Sequence, residues 1–195
     1  ITHLRGERCN SQKLPTSLRL IKTKSIYTSI SILHKCVTWT TYKEHYNQLR
    51  TAHLRMLLRV TGSHRNPRTN HAVSYHDVLE LAGFKNIEAT VRQRRLLWAG
   101  PVIRSAAKRL HRRVMFGELD MPPPKEEDAG RVVPRGQEKQ WTTCINNDLE
   151  AFGIIGDWKE EAKNAASWCE TVKDGAETFM TEWREKDKAK AEARH

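Results

Sequence analysis

The sequence predicts a mainly α-helical fold: a helical bundle with a helix-turn-helix-like unit, a Pro-rich linker and a small helical module anchored by tryptophans. Three observations support this class. Apolar residues recur at steps of three and four along much of the chain, capping residues stand at the ends of these runs, and prolines cluster in one segment. The 195 residues are enough for a modest hydrophobic core.

The first elements are of different kinds. Residues 1–24 are polar and basic without a sustained period, so they predict no particular element. From Ser25 to Leu33 isoleucines alternate with hydroxyl residues, which favours a strand. From Trp39 an apolar stripe predicts a helix that ends near Gly62. His53 lies on that stripe, where a histidine is more often a hydrogen-bonded or half-buried residue than a metal ligand.

The next segment has the outline of a helix-turn-helix. The composition from Gly62 to Val73 is that of a loop. Ser74 is then suited to cap a helix, because its hydroxyl can accept from the amide of Asp77. Gly83 suits the residue that follows this helix, and Asn86 suits the cap of the next one.

The helix after Asn86 carries several arginines and reaches a Gly-Pro pair. Pro101 is expected to break or kink it, because proline cannot donate to the preceding turn. A second amphipathic run is then expected, with an apolar face formed by Ile103, Ala106, Ala107, Leu110 and Val114.

The last third of the chain starts with a Pro-rich stretch at 118–134, which is typical of a linker. Beyond it, the apolar pattern from Trp141 predicts a helix that stops at Gly153. Asp157 is suited to cap a further helix, and Gly175 is expected to separate that helix from a final one. The predicted domains are therefore a basic body (1–117), the linker (118–134) and a tryptophan-anchored helical module (135–195).

Charge is distributed unevenly along the chain. The whole sequence has 34 Lys and Arg and 23 Asp and Glu, a net charge of +11. Residues 1–117 carry 22 basic and 5 acidic residues, whereas 118–195 carry 12 and 18. A polyanion is the expected partner of such a basic body, so a nucleic-acid surface is expected before Glu118.

Several function classes lack their sequence signature. The four cysteines contain no C-x-x-C pair, which disfavours a zinc finger or a redox dithiol and favours reduced thiols in an intracellular protein, nuclear or cytoplasmic. The histidines lack metal-ligand spacing, so no metal or cofactor is expected. No apolar run approaches the length of a membrane helix. Because the chain begins at Ile1 without a methionine, it is expected to be a fragment of a longer reading frame or a processed product.

A set of short motifs along the chain resembles a known family. They are Cys36-Val37-Thr38-Trp39, Leu54-Arg55 with Leu57-Leu58-Arg59, Ile87-Glu88-Ala89, Arg94-Arg95-Leu96-Leu97-Trp98-Ala99-Gly100, Val114-Met115-Phe116-Gly117-Glu118, and Trp141 with Asp148-Leu149. In this order they are similar to the thumb and C-terminal extension of non-LTR retrotransposon reverse transcriptase polyproteins. The resemblance spans about Leu18 to Trp183, and it implies a thumb-like module that follows a catalytic palm.

Polymerase chemistry itself is not expected in this chain. Two Mg²⁺ ions at a primer end need paired carboxylates. Before Glu118 there are only five acidic residues, and none forms an Asp-Asp doublet. We therefore do not expect the chain to be an enzyme by itself.

The resulting hypothesis is a non-catalytic nucleic-acid-binding fragment of a retrotransposon reverse transcriptase that grips a template–primer duplex, DNA or RNA, through phosphate contacts. Its other expected partner is the rest of the polyprotein. The candidate contacts are the cations Arg92, Arg94, Arg95, Arg104, Lys108, Arg109, Arg112 and Arg113.

Two alternatives remain open at this point. One is a helical protein-interaction or structural module, in which Trp141, Trp158, Trp168 and Trp183 form either a contact surface or a small core. The other is a decayed retroelement relic with no biochemical role.

Overall fold

The structure is a computed structural model that describes residues 33–62, 73–116 and 140–192. Within these ranges 77 % of the residues are helical and no strand occurs, which confirms the predicted mainly α class. A short 3-10 turn at Cys36–Thr38 precedes seven α-helices: α1 Lys43–Thr61, α2 Tyr75–Ala82, α3 Ile87–Arg104, α4 Leu110–Phe116, α5 Trp141–Ala151, α6 Trp158–Glu161 and α7 Ala165–Glu192.

Some predictions fall on other parts of the chain. Residues 1–24, the strand predicted from Ser25 to Leu33 (apart from Leu33 itself), and the linker at 118–134 lie outside the described residues. Among the seven helices, none combines the length and apolar character that a membrane span requires.

The chain divides into two compact units, and they differ from the predicted domains. One consists of residues 1–34 and 48–85, and the other of 35–47 and 86–195. The second unit combines helices from both sides of 118–134, because α3 shares one hydrophobic core with α5 and α7. A boundary at 118–134 between two separate modules is therefore not what the packing shows.

The first unit contains most of α1, the whole of α2 and the turn after it. Gly62 follows α1 with a φ of 70°, as expected of a residue that ends a helix. The Ser74 hydroxyl accepts from the amide of Asp77 at 3.2 Å, which confirms the predicted N-cap. Gly83 takes a φ of 64° after α2, and the Phe84 amide donates back to the Leu79 carbonyl at 3.0 Å.

The second unit is organised around α3. The Asn86 side chain accepts from the Glu88 amide at 3.0 Å, which confirms its predicted role as a cap. The buried Trp168 on α7 donates from its indole N–H to the Leu96 carbonyl at 2.9 Å. Gly100 lets this ring approach, because a Cβ at that position would lie 2.7 Å from Trp168 Cδ1.

Pro101 does not break the helix, because α3 continues through it to Arg104. Pro101 itself is exposed, and the buried side chains of Val102 and Ile103 hold the last turn against the core. Tertiary packing thus compensates for the hydrogen bond that proline cannot make.

The predicted amphipathic run after the proline is also corrected. The helix stops at Arg104, and α4 begins only at Leu110. Leu110 and Val114, expected on an apolar inner face, are 67 % and 48 % exposed. The interruption at 105–109 shifts the register of the helix, so the periodic pattern does not continue across it.

Of the three predicted ends of the C-terminal helices, two are confirmed and one is wrong. Helix α5 ends before Gly153, and the Asp157 side chain accepts from the Lys159 amide at the start of α6. Gly175, however, lies inside α7 and separates nothing. It is buried, and a Cβ there would lie 2.8 Å from Phe152 Cβ, so it permits a close approach rather than a helix end.

Candidate nucleic-acid interface

The eight cations predicted to contact phosphates fall on three consecutive parts of the second unit. Arg92, Arg94, Arg95 and Arg104 lie on α3, Lys108 and Arg109 in the turn after it, and Arg112 and Arg113 on α4. The sequence contains no acidic residue from Ala89 to Gly117. Any carboxylate that neutralises these cations must therefore come from Glu88 or from a more distant part of the chain.

Arg95 is not available to a phosphate, which corrects the prediction. Its side chain is 1 % exposed and donates from Nη1 to Asp148 Oδ2 at 2.7 Å. Its Nη2 donates to the hydroxyl of Thr41 at 2.9 Å. A guanidinium enclosed in this way is part of the core, so the structure removes Arg95 from the interface.

Arg92 is also occupied within the protein. Its guanidinium contacts Glu88 Oε1 and Asp148 Oδ1, each at 2.7 Å, and its side chain is 15 % exposed. The same group lies over the rings of Tyr46 and Phe179. Two carboxylates thus neutralise Arg92, and it does not belong to an open basic surface.

Burial and charge shift the pKa values of Arg92, Arg95 and Asp148 in opposite directions. Burial is the largest single influence on the pKa of Arg95 and lowers it, but the Asp148 charge together with smaller contributions from neighbouring groups such as Tyr46 raises that pKa above its ordinary value. The pKa of Arg92 is likewise raised against the effect of burial, by Asp148 together with Tyr46 and Glu88. Burial raises the pKa of the Asp148 carboxyl, and both guanidinium groups oppose that shift. Hydrogen bonds from two charged donors favour the carboxylate form of Asp148.

Arg104 and Arg112 have anchoring roles. Arg104 donates to the Ala162 carbonyl, next to α6. Arg112 donates from Nη1 to the carbonyls of Ile103 at 3.0 Å and Ser105 at 2.8 Å. A cation at the C-terminal end of α3 is also favoured by the helix dipole. These two arginines therefore fix the turn that connects α3 to α4.

The turn between those anchors carries two exposed cations. Lys108 and Arg109 are both exposed, and within the described part of the chain neither side chain makes an ion pair. Arg94 and Arg113 are half-buried and each makes an interaction of its own. We call residues 104–113 the basic segment, and its centre is the pair Lys108 and Arg109.

A serine and a histidine in the basic segment lie within hydrogen-bonding distance. His111 Nε2 is 3.0 Å from Ser105 Oγ, which is the spacing of a nucleophile and its base. The Ser105 hydroxyl, however, donates to the Val102 carbonyl at 2.6 Å. Its proton is therefore committed to the end of α3, and the pair serves as a cap rather than as a nucleophile and base.

Within residues 33–62, 73–116 and 140–192, no three His, Cys, Asp or Glu side chains converge as metal ligands would.

The tryptophans proposed as a contact surface are largely used inside the molecule. Trp168 and Trp141 are 1 % and 6 % exposed, and the Trp141 indole donates to the Val37 carbonyl at 2.8 Å. Trp158 is half-buried and packs against the same core, and Trp183 is half-buried on α7. Of the two alternatives for these residues, the packing favours a core.

The sequence did contain a signal for the buried ion cluster. Asp148 lies on the same stripe of α5 as Trp141, Ile145 and Phe152, and Arg95 lies four residues after Val91 on the stripe of α3. A charged residue at an apolar position of one helix suggests an opposite charge at an apolar position of another. Reading both stripes together would have identified Arg95 as a core residue.

Comparison with known proteins identifies no relative: no family model, no curated protein and no solved structure matches the chain.

Proposed function

We propose that this chain is a non-catalytic nucleic-acid-binding module that grips a duplex by phosphate contacts, as the thumb-like part of a retrotransposon reverse transcriptase would. The observation that carries the proposal is the basic segment. Lys108 and Arg109 are exposed side by side, in a stretch of 29 residues without a carboxylate, Ala89 to Gly117. Such a surface is suited to a polyanion.

The way the basic segment is held supports binding by a preformed surface. The arginines at both ends of the turn, Arg104 and Arg112, are tied to backbone carbonyls. The turn therefore needs little ordering when a ligand binds, which lowers the entropic cost of association. Lys108 then offers a flexible ammonium point charge, and Arg109 offers a forked guanidinium, to successive phosphates.

The resemblance adds the identity of the expected polyanion. In a thumb, a template–primer duplex would be the ligand, and the catalytic carboxylates would stand in a preceding palm. The phosphate-contact set that we propose is smaller than the set predicted from sequence, because Arg92 and Arg95 are neutralised internally.

The proposal is tested by the salt dependence of binding to a 20-base-pair DNA duplex and to an RNA–DNA hybrid of the same sequence. The double variant Lys108→Gln/Arg109→Gln removes the two central cations. Each lost phosphate contact reduces the log–log slope by about 0.9, so the variant is expected to lower its magnitude by about 1.8. The measurement is fluorescence anisotropy between low and moderate salt.

A matched control comes from α7. Lys173→Gln/Lys188→Gln removes the same charge from two exposed lysines outside the basic segment. It is expected to leave the slope nearly unchanged. Equal effects of the two double variants would indicate only non-specific attraction to a basic chain, and a wild-type slope near zero would refute the proposal.

The protein-interaction alternative is supported by a different observation. Leu110 and Val114, one turn apart on α4, are exposed and lie beside the same cations. If they bind a protein, Leu110→Ser/Val114→Ser would abolish that binding while the salt slope on duplex stays as in the wild type. A change in duplex affinity equal to that of the Lys108→Gln/Arg109→Gln variant would instead place these apolar residues in the nucleic-acid surface.

A further inference from the structure

A histidine occupies the centre of the first compact unit. His53 on α1 is 1 % exposed, and its Nδ1 lies 2.8 Å from the hydroxyl oxygen of Tyr75 on α2. Its ring also packs edge-on against the rings of Tyr75 and Phe84, with centroid distances of 5.8 and 5.9 Å. The imidazole therefore links the two helices and the turn that follows them.

The second ring nitrogen is buried without a hydrogen-bond partner in the described part of the chain. Among the described residues, no donor or acceptor reaches the buried His53 Nε2. A neutral imidazole leaves at most this one nitrogen unsatisfied, whichever tautomer it adopts. An imidazolium has two N–H donors, and the Tyr75 oxygen can accept only one of them. The charged ring would thus bury a positive charge together with an unpaired donor, which is strongly unfavourable.

Charged groups near this site do not favour the imidazolium. The Arg50 guanidinium lies over the Tyr75 ring, 4.8 Å from its centroid, and its charge has the same sign as a protonated ring. On α2, Asp77 and Glu80 are exposed, and His76 lies 3.9 Å from Glu80. Burial is the cause that lowers the His53 pKa, and among the described residues no carboxylate acts against it.

We propose that His53 is an acid-sensitive latch: while its ring is neutral it holds α2 and Phe84 on α1, and its protonation opens the first unit. Opening would expose the apolar side chains that are buried on α1, on α2 and in the turn after it, namely Leu57, Tyr75, Val78, Leu79 and Phe84. The inference stands independently of nucleic-acid binding, because the basic segment belongs to the second unit.

The direction of the effect follows from linkage. Burial lowers the pKa of His53 from an ordinary value of 6.5 to about 4 in the closed unit. The open unit therefore binds the proton first as the pH falls. The stabilising contribution of the neutral ring is complete above pH 6.5 and is lost progressively towards pH 4. One proton changes the opening constant about tenfold per pH unit, so the whole range corresponds to about 300-fold.

The test uses hydrogen–deuterium exchange of the full chain at pH 7.5, 6.5, 5.5 and 4.5, with rates divided by those of the unfolded chain at each pH. Peptides from 50–61 and 75–84 are expected to lose protection about tenfold per unit below pH 6.5. Peptides from 87–103 provide an internal reference in the second unit. His53→Gln is expected to remove the pH dependence of the first unit, and Tyr75→Phe to weaken protection at every pH while keeping that dependence.

The control variant is His76→Gln, which removes another histidine from the same unit and is expected to keep the wild-type pH dependence. A pH dependence that persists in His53→Gln would overturn the proposal. Should that variant lack protection even at pH 7.5, NMR titration of the His53 ring protons in the wild type decides the question directly. A midpoint below pH 5 is expected, and one between 6 and 7 would refute the latch.

Discussion

The contacts of Asp148 change the expected roles of Arg92 and Arg95. Its two carboxylate oxygens accept from Arg92 and Arg95, each at 2.7 Å, and so remove two of the eight predicted phosphate contacts from the surface. The sequence placed these arginines on a basic helix correctly, but it did not show which of them face inward. That choice depends on a partner more than 50 positions away, and local periodicity contains no information about it.

Replacing Asp148 by asparagine tests the importance of this cluster. Asp148→Asn keeps the volume but leaves two guanidinium groups without their shared counter-charge. Removal of one partner of a buried pair costs about 3–5 kcal/mol, so the free energy of unfolding is expected to fall by that amount. Urea denaturation followed by circular dichroism measures it.

A control for this substitution lies two positions along the same helix. Glu150→Gln changes the same charge at an exposed position and is expected to cost less than about 0.5 kcal/mol. Similar losses in the two variants would contradict the assignment of Asp148 as a charge partner on which the fold depends.

At the level of elements, helix ends were predicted better than helix interiors. The caps at Ser74, Asn86 and Asp157 and the glycine after α2 depend on contacts within five residues, so sequence alone identifies them. A helix break at Pro101 and a helix end at Gly175 do not occur, because packing determines what happens at both positions. One is tolerated near the end of a helix whose last turn is buried, and the other allows a close contact between helices.

Gly175→Ala distinguishes close packing from helix propensity. In an isolated helix, alanine would be more favourable than glycine by about 1 kcal/mol. Here the new Cβ would lie 2.8 Å from Phe152 Cβ and 2.9 Å from its carbonyl oxygen, and the backbone oxygen cannot rotate away. Overpacking of this kind costs about 1–3 kcal/mol. We therefore expect net destabilisation, measured as a lower midpoint in thermal unfolding.

Glu177→Ala provides the comparison for that measurement, because it places alanine at an exposed position of the same helix. It is expected to leave the midpoint unchanged or raise it slightly. A stabilised Gly175→Ala protein would show that Phe152 and α7 can separate without loss, against the packing described above.

At the scale of the whole molecule, several of the short motifs that suggested a family lie in the second unit, whereas Leu54-Arg55 and Leu57-Leu58-Arg59 lie in the first. Trp141 bonds to the Val37 carbonyl and packs edge-on against Trp98 and Phe116, while Asp148 pairs with Arg95. These segments are far apart in sequence. Each of these residues therefore has a structural role in the packing of the second unit.

The domain boundary was the least predictable feature. A Pro-rich stretch at 118–134 suggested independent modules, because composition reports local stiffness and not long-range pairing. The shared core shows the dependence of one part on the other: Leu96, Ala99 and Ile103 of α3 pack with residues of α5 and α7. The exposed basic centre at Lys108 and Arg109, in contrast, was predictable from charge, since it needs no partner within the described chain.

The shared core makes a prediction about truncation. A chain that ends at residue 139 lacks α5, α6 and α7, so the apolar face of α3 loses its partners and the second unit should not fold cooperatively. Peptides from 87–103 are then expected to exchange their amide hydrogens almost as fast as an unfolded chain. A second chain that ends at Asp187 removes only residues beyond the core and is expected to keep wild-type protection. If the shorter chain protects 87–103 as well as the longer one, the basic body folds alone, and the predicted domains describe the molecule better than the shared core does.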